Sequence, residues 1–339
     1  MSSSKVEKII TRLQRRISEG EAGEQYEAGQ ETRVVVARYT KQANWPAAID
    51  ILFNVSQSLL KAGAGGSGGD LAVLLVGVYK QAEMKPDAAA KGKLLSLLRL
   101  FATTEPTRKK FIKEIFEWSR KFGEYPAGDP ELHHVVGSLF AEEHETDEAE
   151  KHLVLGTKES PEVLTRMEYE WYKQDDSHTA PVYAARAVLP YLLVANVRAA
   201  NTAYRIFISA LSSDNKGLSV QDVSSQGSDI RVFPSLPLLN FLGLLLLAVQ
   251  KGSPDLFRQL RAKYAGHIAE LGGGAWDGAL EMIAEMYFGI QRPRQSNPLL
   301  DMMGSLFSGA GGGGGGGGGG SRQPPVRRVE AQPTAEGLD

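Results

Sequence analysis

Up to Ser308, almost every stretch of this chain repeats its apolar residues with the period of an α-helix. Val6, Ile9, Ile10, Leu13 and Ile17 fall at i, i+3, i+4, i+7 and i+11, one stripe down one helix face. The same period predicts helices over 26–40, 46–60, 71–83, 88–102, 107–121, 130–142, 146–155, 161–173, 182–193, 199–211, 236–250, 254–264 and 275–288. Their starts recur about every 15–25 residues and the connections are short. A helix with one apolar face must bury it against a neighbour, so this layout predicts an all-α fold, an α-solenoid of stacked antiparallel helix pairs.

Local start signals agree. Asp129-Pro130, Ser160-Pro161 and Ser253-Pro254 each set a capping side chain before a proline at the first helical turn. Gly63 to Gly69 reads as a loop, with Asp70 the N-cap of the helix that follows. The rhythm breaks between Ser212 and Phe233, where Leu218 to Val223 and Ile230 to Phe233 flank a Gly-containing turn. Two short β-leaning runs there predict a hairpin inserted near the C-terminal end of the helical array. The small-residue steps Tyr26-Glu-Ala28, Ala47-Ala-Ile49 and Glu148-Ala-Glu150 resemble tetratricopeptide packing positions, without the strict repeat of roughly 34 residues. After Phe307 a glycine tract runs to Gly320, and residues 309–339 read as a disordered tail, too poor in apolar groups to offset its ordering entropy.

Charge and composition narrow the function. Lys plus Arg number 38 and Asp plus Glu 40, a net charge of −2, which removes a global basic field for nucleic acid. With no cysteine there are no disulfides, thiolate metal sites or thiol nucleophiles, and a reducing compartment is favoured. The N-terminus has no apolar core of a secretory signal, and the apolar run 236–249 falls short of the roughly 20 residues of a membrane span. A cytosolic, soluble protein is expected. The glycine-rich loop lacks the Lys of a phosphate-binding loop, His133 and His134 diverge on a helix, and no nucleophile elbow is present. Neither catalytic residues nor a cofactor or metal site is expected.

One charge pattern stands out. Lys5, Lys8, Arg12, Arg15 and Arg16 oppose only Glu7, a local excess of +4, and Glu19, Glu21, Glu24, Glu27 and Glu31 follow before the next base, Arg33. Three readings stay open: a basic helix on a membrane surface, the solvated face of a terminal capping repeat, or a docking face for an acidic protein patch.

The residues Gln25-Tyr-Glu-Ala-Gly-Gln-Glu-Thr-Arg33, Ala37-Arg-Tyr39, Gly65-Gly-Ser-Gly-Gly-Asp-Leu71, Gly128-Asp-Pro-Glu-Leu-His133, Glu148-Ala-Glu-Lys-His152 with Leu155-Gly-Thr157, and Asp301-Met-Met303 follow in order. Together they resemble the Golgi-to-ER traffic protein four family, cytosolic adaptors of the guided-entry pathway for tail-anchored membrane proteins. The resemblance implies a non-catalytic bridge. Residues 1–155 would bind the homodimeric targeting ATPase, and residues 156–308, with the hairpin at about 218–233, a ubiquitin-like-domain partner that recruits a tetratricopeptide co-chaperone. It places Arg15, Arg16, Tyr26, Arg33 and Arg38 on the ATPase-facing surface and makes Asp70 an acidic regulatory contact. Val220, Val223, Ile230, Val232 and Phe233 are the expected contacts to the ubiquitin-like partner. Gly29 stands where the family commonly has His, and Gly77 where a second acid is expected, with Glu83 a possible substitute. The rival readings are a generic helical-repeat scaffold for peptides and, further off, an all-helical enzyme.

Overall fold

The computed structural model describes residues 3–223 and 231–291. The first helices are α1 (Ser3–Glu19), α2 (Ala22–Lys41), α3 (Trp45–Lys61), α4 (Gly65–Gln81), α5 (Ala88–Leu98), α6 (Pro106–Phe122) and α7 (Pro130–Glu142). They continue as α8 (Thr146–Leu153), α9 (Ser160–Tyr172), α10 (Ala180–Leu193) and α11 (Val197–Asp214). Strands β1 (Gln221–Asp222) and β2 (Arg231–Val232) interrupt the series before α12 (Pro237–Lys251), α13 (Pro254–His267) and α14 (Gly273–Phe288). Helices pack on the next in sequence or on the next but one, as α3 on α4, α4 on α6, α7 on α8 and α9, and α10 on α11. This is the all-α solenoid that the periodicity predicts. The apolar stripes form one core, with Leu13 and Ile17 of α1 buried at one end and Phe241, Leu242 and Leu245 of α12 near the other. Packing continues through residue 155, where α8 and α7 both meet α9. Among the described residues no helix is long and apolar enough to cross a membrane.

The connections repeat one hydrogen-bond pattern. After α2, α3, α4, α7, α10 and α12 the chain turns through a left-handed residue, namely Ala43, Gly63, Glu83, His144, Ala195 and Gly252. Each time the following amide bonds back to the helix, as Asn44 N does to Tyr39 O at 3.0 Å and Glu145 N to Phe140 O at 2.9 Å. These are Schellman turns. Four of the six lack glycine, although left-handed backbone costs an L-residue roughly 1–2 kcal/mol.

The expected loop over Gly63 to Gly69 is instead helical from Gly65, and Asp70 lies on the second turn rather than at the cap, which is Ala64. The glycines serve close packing. A Cβ on Gly68 would lie 2.8 Å from Leu60 Cγ and 3.0 Å from its amide nitrogen, and one on Gly69 would lie 2.0 Å from Thr107 Oγ1. Helix propensity loses about 1 kcal/mol per glycine, and the approach of α3 and α6 to α4 offsets it. Asp129 and Ser253 cap as expected, and Asn44 caps α3. Ser160 does not: it is the first residue of α9, and its hydroxyl meets His134 Nδ1 at 2.9 Å.

Candidate functional site

The N-terminal face is built by two layers of ion pairs. Arg12 of α1 pairs with Glu31 of α2, and Arg16 pairs with Glu27 and reaches Glu31 at 3.5 Å. The basic block on α1 and the acidic block on α2 thus largely neutralise each other. Arg33 of α2 meets Asp70 of α4 at 2.6 Å. Of the five residues expected to face an ATPase, Arg16 and Arg33 are therefore engaged internally. Arg15 and Arg38 are exposed and make no ion pair among the described residues, and Tyr26 is 59% exposed. Val34, missed from sequence, is 65% exposed beside them on α2. Its signal was legible: Tyr26, Gln30, Val34, Ala37, Arg38 and Lys41 share the outward arc of α2 once Ala28, Thr32, Val36 and Tyr39 are turned inward. The outer face of α2 therefore combines exposed apolar groups with unpaired cations, the composition of a protein-docking rim and core.

The regulatory candidates separate. Asp70 is half exposed and held by Arg33. Gly77 lies two turns along the same face of α4, with open space where a side chain would stand. Glu83 is the left-handed residue of the turn beyond α4, about 20 Å along the chain axis from Asp70 at 1.5 Å per residue. It does not share Asp70's site.

The second candidate surface is the hairpin. Gln221 pairs with Val232 and Asp222 with Arg231 in an antiparallel ladder of two residue pairs. Val220 and Val232 are half-buried and Val223 is 57% exposed. Ile230 lies outside the described residues. Phe233, expected at the partner contact, is instead fully buried. Its amide donates to Asn240 Oδ1 and its carbonyl accepts from Asn240 Nδ2, both at 2.8 Å, so it fastens the hairpin to α12. Beside β2 a cleft of about 550 Å³ opens between α11 and α12, lined by Arg198, Arg205, Arg231, Val232, Leu244 and Leu247.

One buried polar pair was not foreseen. His133 Nδ1 and His152 Nδ1 lie 3.0 Å apart, and His133 Nε2 donates to Ala127 O at 3.1 Å. With His133 neutral, that bond leaves its Nδ1 as the acceptor for the His152 N–H. Burial pushes both imidazoles down, His152 to about 4 with His133 adding to the effect. Phe116 and Phe140 stack on the pair. Among the described residues no group of three or more His, Asp or Glu is arranged to hold a metal ion.

Stacked helix pairs interrupted by a short hairpin define a protein of the all-α helical-repeat class. The chain belongs to the Golgi to ER traffic protein 4 family, whose model matches residues 42–307. Golgi to ER traffic protein 4 of Aspergillus fumigatus is 51% identical over 350 residues, covering 99% of this chain and all of its own length. The Schizosaccharomyces pombe protein of the same name is 34% identical and covers 84% of this chain and 91% of itself. The crystal structure of C. therm. Get4 is 72% identical, with a TM-score of 0.84 over 91% of this chain and 96% of that one.

Proposed function

We propose that this protein is a non-catalytic cytosolic adaptor in delivery of tail-anchored proteins to the ER. Its N-terminal half docks the homodimeric targeting ATPase through Arg15, Tyr26, Val34 and Arg38. Arg16 and Arg33 act from within their ion pairs, by fixing α1 and α4 against α2. Asp70 is the acidic group that restrains the ATPase. The C-terminal half takes the ubiquitin-like-domain partner at the hairpin, where Val220, Val223, Ile230 and Val232 supply apolar contact and Phe233 holds the ladder in place. That partner brings the tetratricopeptide co-chaperone, which this chain meets only indirectly. Regulation requires unequal affinity for the ATPase's nucleotide states, since a ligand shifts an equilibrium only by that difference.

The observation that carries the reading is that exposed Tyr26 and Val34 share the outer arc of α2 with unpaired Arg38, while Arg15 of the adjoining α1 is exposed and unpaired as well. The test is affinity purification of the full chain with both candidate partners supplied. Recovery of a ternary complex, with no turnover of small substrates, is the expected result; failure to retain the ATPase overturns the reading. A generic peptide-binding scaffold is the second reading, favoured by the groove of about 1010 Å³ between α7 and α9 lined by His134, Met167 and Trp171. Binding of unrelated peptides there in place of the two partners is its signature.

A further inference from the structure

Helices α2, α4 and α6 lie side by side, joined by two rungs: Arg33 to Asp70 at 2.6 Å, and Lys80 of α4 to Glu114 and Glu117 of α6 at 2.6 and 3.0 Å. Their outer faces are therefore one continuous surface. On α6 the buried arc holds Phe111, Ile112, Ile115, Phe116, Trp118 and Ser119. The opposite arc presents Lys109, Lys110, Lys113, Arg120 and Lys121, all exposed. The two acids on that arc, Glu114 and Glu117, are taken up by Lys80. Lys113 lies 3.9 Å from Glu117, and Lys109, Lys110 and Arg120 make no ion pair among the described residues.

Other exposed helix faces differ. On α8 and α9 the outward cations are matched at i+3 or i+4, as Lys151 with Glu148, Arg166 with Glu162 and Lys173 with Glu170. In a chain of net charge −2, the unmatched cations on α2 and again on α6 give this row a positive potential. Half-buried Val73, Leu74 and Gly77 of α4 lie between the two basic strips.

We infer that α6 is a second electrostatic subsite for the protein docked on α1 and α2, and that Lys109, Lys110 and Arg120 meet an acidic strip on that same partner. The inference rests on the proposed ATPase docking. Distance decides in its favour: neighbouring helix axes lie about 8–10 Å apart, so α6 is about 16–20 Å from α2. A standard interface covers about 800 Å² on each partner, roughly 30 Å across. A partner seated on α2 reaches α6 without moving. Binding of the strip to an anionic bilayer is the competing outcome of the test.

The experiment measures association rate and affinity for the targeting ATPase with the full chain at two salt concentrations. The variant Lys109→Glu/Lys110→Glu/Arg120→Glu should bind about tenfold more weakly, mostly through a slower on-rate, and with a flatter salt dependence. The neutral variant Lys109→Gln/Lys110→Gln/Arg120→Gln should lie between, which separates charge from misfolding. Reversing Lys151, Arg166 and Lys173 to Glu changes net charge by the same amount on a different face and should leave the on-rate within about twofold of wild type. Wild-type affinity in the α6 variant, alongside weakened binding in Arg15→Glu/Arg38→Glu, overturns the α6 subsite and leaves the docking face standing. No binding by the wild-type chain overturns both. Binding to phosphatidylserine vesicles that only the α6 variant loses, with ATPase affinity unchanged, assigns the strip to a membrane and overturns it as well.

Discussion

The α1–α2 face and the β1–β2 edge differ in what holds their side chains in place. The first stands on two long helices, whose backbone bonds are internal and whose packing is locked by Arg12–Glu31, Arg16–Glu27 and Arg33–Asp70. The second is a ladder of two residue pairs, too short to be stable alone, and depends on one buried ring and one asparagine. A helical face tolerates change at any one exposed residue. The hairpin concentrates its stability at Phe233 and Asn240 while presenting different residues, Val223 among them. Presentation and anchoring are thus shared along α2 and separated in the hairpin.

The largest effect should come from removing the weaker platform. Replacing residues 218–232 with a short Gly/Ser linker is expected to eliminate binding of the ubiquitin-like partner while ATPase affinity stays within about twofold. Co-purification of that partner with the deletion would place its contact elsewhere and dissolve the contrast. Next in size, Phe233→Ala should destabilise the C-terminal helices by about 3–5 kcal/mol, whereas Val223→Ala should change stability by no more than about 0.5 kcal/mol. Denaturant midpoints measure both, and equal losses would refute the division between anchor and contact.

Between the two surfaces lie α7 and α8, and acid should loosen both together through His133 and His152. Burial holds the folded His152 at about 4, against 6.5 for an ordinary imidazole. Above pH 6.5 both folded and unfolded rings are neutral and stability is complete. As pH falls from 6.5 towards 4 the unfolded chain takes up protons that the folded chain refuses, so stability drops. The loss should reach on the order of 1–3 kcal/mol, and a His152→Gln variant should lose less over the same window. Parallel melting curves for the two proteins between those pH values would exclude the pair as an acid-sensitive element.

How much of this was legible in sequence follows from how local each signal is. Helical period and the change of rhythm after Ser212 are local, and both elements stand where they were expected. The Gly65–Gly69 run carries the residue signal of a loop, and only the proximity of Leu60 and Thr107 shows it to be a packing surface. Left-handed turns at Ala43, Glu83, His144 and Ala195 hide because the helix ends, not the residues, dictate them. The ion pairs join residues 11 to 37 apart, and no spacing rule identifies them. Phe233 was legible as apolar but not as inward, since a strand of two residues has no alternation to read.

On the α1–α2 side, Arg15→Glu/Arg38→Glu removes unpaired charge alone and should cost on the order of tenfold in ATPase affinity, about 1.4 kcal/mol. Adding Arg16→Glu changes a second thing, because it sets a carboxylate beside Glu27 and Glu31. A lower melting temperature is therefore expected for any variant that includes Arg16→Glu, and not for the Arg15/Arg38 pair. Identical melting curves with and without Arg16→Glu would show that the staples carry no stability and that the face is held by packing alone.

The smallest stability effect belongs to Asp70, and it is the sharpest probe of how the face is shared. Were Asp70 an N-cap, Asn would preserve it and Ala would cost about 1 kcal/mol. On the second turn of α4, half exposed and paired with Arg33, it loses the same interaction in either variant. Exposed pairs of this kind are worth about 0.2–1 kcal/mol. Asp70→Asn and Asp70→Ala should therefore unfold within a few tenths of a kcal/mol of each other, both slightly below wild type. Function should respond more strongly than stability. Loss of Asp70 frees the Arg33 guanidinium on a surface already short of acids, so binding of an acidic partner should tighten rather than weaken. If Asp70 also restrains hydrolysis, the same variants will bind the ATPase at least as well and slow it less. Steady-state hydrolysis at saturating adaptor, with affinity measured separately, resolves the two effects. Weaker binding by both variants would mean that the Arg33–Asp70 pair is itself the docked element and that release of Arg33 gains nothing.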